Sequence, residues 1–200
     1  NTIIENNLAC DLGFAIEDNN CPSVQDFLIE VSASGNILGD DLVLESLELS
    51  IEHTWPPDLK LALVSPAGTE IQLSSHNGNG IDNYGNPQNT LCEENAKFTE
   101  SACLTVSEWS PPFIGAFKPQ ENFSKALSGQ LADGIWKLRI CDRAVGDIGI
   151  LKYVKLNFSE EACIVPQDFI ISDVEGDNIT FSWTRPNNCQ VLRVSYKETN

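Results

Sequence analysis

The sequence contains no methionine and only two histidines, His53 and His76. Basic residues are scarce, with 12 Lys and Arg against 29 Asp and Glu and a formal net charge of −17. Nucleic-acid binding needs basic stripes that neutralise phosphates, so that class of partner is excluded. No run of about 18 apolar residues occurs, which excludes helical insertion into a membrane. There is no HExxH pair for zinc and no GxSxG nucleophile elbow. The glycine-rich stretch 77–85 lacks the Lys and the following helix of a phosphate loop. No paired CxxC motifs occur, which argues against a zinc ribbon. No basic-then-apolar leader precedes Cys10, and the last residues are polar. The chain is therefore expected to be a piece of a longer, processed protein.

What is present is acid, cysteine and strand pattern. The acidic side chains are mostly scattered, which keeps a secreted protein soluble and monomeric and also suits cations. Seven cysteines are too many for a bland cytosolic domain and point to an oxidising compartment, secreted or at the cell surface. Spacing alone leaves the connectivity open. The natural reading pairs Cys10 with Cys21 and Cys92 with Cys103, each closing a loop of about a dozen residues. Cys163 and Cys189 form a third pair in that reading, and Cys141 is left over.

Apolar residues alternate with polar ones in many short runs. Phe27, Ile29, Val31 and Ala33 form one series, and Leu47, Leu49 and Ile51 another. Leu59, Leu61 and Leu63 follow, then Ile71 and Leu73, then Trp136, Leu138 and Ile140, then Val154, Leu156 and Phe158. Period two with one polar face predicts strands that cover a core on one side. Gly, Pro, Asn and Asp punctuate the gaps, so a sandwich or jelly roll is expected. The composition shifts near residue 160. The expected organisation is a lead-in at 1–26 with a disulfide loop, a domain at 27–159, a linker at 160–166 and part of a second β-domain at 167–200.

Residues 47–69 read LELSIEHTWPPDLKLALVSPAGT. His53 and Thr54, Asp58 and Leu59, Ser65 and Pro66, and Gly68 and Thr69 resemble the P domain (P/Homo B domain) of kexin- and furin-type subtilisin proteases. The resemblance continues in order through Asn89, Thr90, Glu93 and Glu94, then Pro112, Phe113 and 115–119. It closes with Leu127, Gly129, Gln130, Gly134, 136–138, Asp142, Asp147 and Gly149, and so covers roughly 27–158. Cys92 and Val154 depart from the usual aromatic and Trp. Glu93 and Glu94 keep carboxylates, on longer side chains, where paired Asp is usual. The resemblance implies an all-β fold: a jelly-roll β-sandwich of the galactose-binding-like kind. It also implies an accessory role, supporting the folding and stability of a neighbouring subtilisin-like catalytic domain that carries the catalytic triad. Trp183 and Tyr196 make the tail similar to the start of a fibronectin type III domain, an immunoglobulin-like sandwich that needs about seven strands.

The chemistry is read conservatively. His53 lies on the same strand face as Leu47, Leu49 and Ile51, so it is expected to be a hydrogen-bonded structural residue and no catalytic residue is assigned. His76 sits among turn residues and is expected to be solvated. Asp58, Asp82, Asn83, Glu93, Glu94, Asp142 and Asp147 are the candidate metal ligands. Calcium takes about six to eight oxygens, and these loops offer carboxylates, amides and glycine-freed carbonyls that meet at one end of a sandwich. Trp55, Trp109 and Tyr84 are expected to pack in the core or between domains. Asn122, Asn157 and Asn178 match the N-glycosylation pattern. The expected function is a non-catalytic P domain of a secreted serine endopeptidase, partnered by the neighbouring catalytic domain. The alternative is a calcium-binding adhesion or carbohydrate-binding module of a cell-surface protein.

Overall fold

The computed structural model describes residues 3–6, 10–78, 83–89 and 91–160, together with the backbone of two strands beyond them. The alternating runs become strands because each apolar face finds a partner sheet. The first sheet holds β1 (Ile3–Glu5), β3 (Gln25–Val31), β5 (Leu59–Val64), β6 (Glu70–Ser75) and β9 (Gly134–Asp142), in the order β1-β3-β9-β5-β6. The second holds β2 (Phe14–Ile16), β4 (Leu42–His53), β7 (Ala96–Phe98), β8 (Gly115–Phe117) and β10 (Gly149–Glu160), in the order β2-β10-β4-β7-β8. The chain passes repeatedly from one sheet to the other, as a jelly roll does. One short helix, α1 (Phe123–Leu127), is capped by the Asn122 side chain, which accepts the Lys125 N–H.

The core lies between the two sheets. Leu61, Leu63, Trp136, Leu138 and Ile140 from the first sheet and Leu47, Leu49, Ile51 and Leu151 from the second have no solvent exposure. Burial of each such side chain contributes roughly 1.5–3 kcal/mol. The Trp136 ring lies 5.8 Å from that of Phe158 across the sandwich. Its indole N–H donates to the Ala132 carbonyl at 2.9 Å, so the burial orphans no donor. Two register shifts in the β4–β10 pair, at Leu151/Tyr153 and Asn157/Phe158, explain breaks in strict alternation. An extra residue at each bulge lets both Leu151 and Val154, and both Leu44 and Leu47, point inward.

The lead-in is part of the sandwich. β1 adds parallel to β3, and β2 adds antiparallel to β10. This placement corrects the expected disulfides. Asp11 and Leu12 donate their N–H groups to the Lys152 carbonyl, while Cys21 donates to that of Asp142. The extended strand between Cys10 and Cys21 thus holds them at different sites, and they do not pair. The bridges are Cys10–Cys92 and Cys21–Cys141, with Cα atoms 5.6 and 5.2 Å apart. Cys103 is a free, exposed thiol, and Cys141 is the opposite of a leftover. The expected pair Cys163 and Cys189 lies outside the described residues. In the tail, β11 (Gln167–Glu175) and β12 (Asn178–Thr184) form an antiparallel pair, a sheet of two strands. The side chains that motivated the fibronectin comparison lie outside the described residues.

Candidate functional site

The polar residues singled out by sequence gather around the C-terminal end of β4. His53 is completely buried, and its backbone is held by Asn83, whose side-chain oxygen accepts the His53 N–H at 3.0 Å. Imidazole Nδ1 accepts the Trp55 N–H at 3.1 Å. The ring proton therefore sits on Nε2, which donates to Asp142 Oδ2 at 3.1 Å. Asp142, equally buried, ends β9 in the facing sheet, so this bond ties the two sheets together. Its second oxygen accepts the Ala144 N–H at 3.1 Å, and its own N–H donates to Asn20 at 2.8 Å. The hydrogen-bonded structural His53 expected from the sequence is thus what the site contains.

Gly149 makes room for this arrangement. A Cβ built there would lie 2.5 Å from His53 Cδ2 and 3.0 Å from the Ile16 side chain. Asn20 and Gly149 are the participants that the candidate set missed. Only the position of Gly149, two residues after Asp147, hinted at a close approach.

The other acids each find their own donor. Asp58, in the short 3-10 turn Pro56–Asp58, is nearly buried, and Arg143 Nε lies 3.3 Å from its carboxylate. Asp147 Oδ1 accepts the Thr54 hydroxyl at 2.5 Å. Glu94 belongs to the loop 86–95, where one carboxylate oxygen accepts from the Asn86 and Asn89 amides at 2.6 and 3.2 Å. Glu93 is exposed. Asp82 lies outside the described residues. Among the described residues, no three His, Cys, Asp or Glu side chains converge to hold a metal ion. Asp58, Asp142 and Asp147 do not fit a shared calcium site, because protein donors already occupy the oxygens that would face it.

The aromatic residues divide. Tyr84 is core: it has no exposure, and its hydroxyl shares a 2.8 Å bond with Ser74. Burial pushes its phenol well above the ordinary tyrosine range. Trp55 and Trp109 are 43% and 53% exposed, so neither is packed in this core. His76 Nδ1 lies 3.2 Å from the Pro57 carbonyl. Of the glycosylation patterns, Asn157 lies on β10 with its amide donating to Ser46 and Glu48, and Asn122 caps α1.

Fold and site together define an all-β sandwich whose two sheets are pinned at one end by a buried His–Asp bond and by Cys21–Cys141. The chain belongs to the proprotein convertase P-domain family, whose model matches residues 45–158, more than half its length. It is 23% identical over 128 residues to leupeptin-inactivating enzyme 1 of Streptomyces exfoliatus, covering 64% of this chain and 21% of that protein. A serine protease of Aeromonas sobria in complex with the chaperone ORF2 matches 74% of this chain and 25% of its own, at 20% identity and a TM-score of 0.38. The protease alone matches 72% and 23%, at 19% identity and a TM-score of 0.36. The chain thus spans about a fifth of the length of the curated relative and about a quarter of the solved chains.

Proposed function

We propose that this P domain is a non-catalytic accessory module of a secreted serine-type endopeptidase, stabilising or positioning a neighbouring catalytic domain. Family membership across residues 45–158 carries the reading. The state of His53 supports it. Both ring nitrogens are engaged and the side chain is fully buried, so it offers no base to a substrate. The disulfides suit an extracellular setting. Trp55, Val145 and Ile148 are exposed apolar residues flanking the Thr54–Asp147 bond, and they offer a face for the neighbouring domain.

The surrounding reading frame is the direct test. A subtilisin-like domain with its Asp, His and Ser motifs is expected beside this chain. The parent with residues 1–160 deleted is expected to lose folded, active protease. A reading frame with no protease domain, or a protease equally stable and active without this module, would refute the proposal. The isolated chain is expected to leave casein intact. Turnover that survives repurification and disappears in His53→Ala would refute the non-catalytic reading.

A further inference from the structure

Ser50 carries an observation that the accessory role does not use. It alternates with the inward-facing Leu49 and Ile51 on β4, so it points to the outer face of the second sheet. It is nevertheless only 3% exposed, because the loop 86–95 covers that face. Its hydroxyl is buried and has no hydrogen-bond partner among the described residues. Buried hydroxyls are rarely left so, since an unmet one costs more than a typical bond gains.

Ser50 lines an open pocket of about 160 Å³ between that loop and the sheet, with Asp11, Asn89, Asn95, Lys152 and Tyr153. The Cys10–Cys92 bridge joins the loop to the lead-in at this place, so the pocket is preformed and little ordering is needed on binding. Drug-sized ligands occupy roughly 300–1,000 Å³, so the space admits one small ring. The charges in the wall cancel. Lys152 Nζ bonds Asp11 at 3.0 Å and lies 3.8 Å from Glu52, leaving no unpaired charge to select an ion. The other lining groups, the Asn89 and Asn95 amides and the Ser50 and Tyr153 hydroxyls, offer donors and acceptors together. Hydroxyl groups on a ligand both donate and accept, and so complement such a wall.

We propose that this pocket binds one uncharged polyhydroxylated ring, the chemistry of a monosaccharide unit, with a ring hydroxyl satisfying Ser50. The site is independent of the His53 end and of any neighbouring catalytic domain. The test follows amide shifts of the isotope-labelled chain while D-glucose, D-galactose, D-mannose or N-acetylglucosamine is added. At least one sugar is expected to give saturable shifts at Ser50, Asn89, Asn95 and Tyr153, with a Kd of about 1–10 mM. Ser50→Ala is expected to weaken that sugar roughly threefold to tenfold, the loss of one hydrogen bond, with the other shifts intact. Tyr153→Ala, at a half-exposed position, is the second variant and is expected to weaken it as well. No saturable shift with any of the four sugars overturns the proposal and leaves a water-filled pocket. Shifts centred on Trp55 or Trp109 overturn it by placing the ligand elsewhere. Tighter saturation by free glycine than by any sugar overturns it in favour of a zwitterion, and unchanged affinity in both variants overturns the site.

Discussion

Replacing Cys21 and Cys141 together by alanine removes a bridge between residues 120 apart in sequence. With Cys10–Cys92 intact, the shortest path between them runs back to Cys10 and on from Cys92, a loop of roughly 60 residues. In the chain-entropy model this cross-link contributes about 4.3 kcal/mol, against about 2.8 kcal/mol for a local bridge such as Cys10 with Cys21. For a chain of this size the loss lowers Tm by roughly 10–15 °C. Thermal unfolding followed by circular dichroism reads the shift. Cys103→Ser supplies the contrast. The thiol is free and exposed, so its loss is expected to leave Tm unchanged. In the local pairing it would break a bridge and cost about as much as any other short loop. Non-reducing peptide mapping decides the covalent question directly. A peptide joining Cys10 to Cys21 or Cys92 to Cys103, or a large Tm loss in Cys103→Ser, would refute the long-range frame.

Three further outcomes are expected. Gly149→Ala forces a Cβ against the His53 ring and is expected to cost about 2 kcal/mol, while His53→Ala, which leaves Asp142 buried without its donor, costs about 3 kcal/mol. The two are non-additive: Gly149→Ala costs far less once the ring is gone, and full additivity in denaturant titrations would refute the packing argument. Asp26 is held below the usual carboxylate range chiefly by its hydrogen bonds from Arg139. Between that depressed value and about 3.9 the unfolded chain binds more protons, so stability falls as pH drops below about 4. Asp26→Asn flattens that slope, and an unchanged acid limb would count against it. Millimolar calcium is expected to leave Tm unaffected through Asp58, Asp142 and Asp147, whose oxygens already hold protein donors. A calcium-dependent rise that Asp147→Asn abolishes would overturn this.

Period-two alternation was enough to determine the strands and their inward faces. Leu47, Leu49, Ile51, Leu61, Leu63, Trp136, Leu138 and Ile140 are all fully buried, because a side chain's face on a strand follows from its parity. The same parity placed His53 on the core face, and the ordered motifs from His53 to Gly149 identified the family. Parity could not foresee the bulge beside Lys152, which lets residues of opposite parity share the core. Nor could it see partners far along the chain. Local spacing counts only the length of a loop, whereas Cys10 meets Cys92 and Cys21 meets Cys141 because β1 and β2 are hydrogen-bonded into the sheets. The acids show the same limit. Sequence marked Asp58, Asp142 and Asp147 as oxygen donors at one end of a sandwich. Only the tertiary structure decided that Arg143, His53 and Thr54 reach them first, since which donor meets which carboxylate depends on strands brought together across the two sheets.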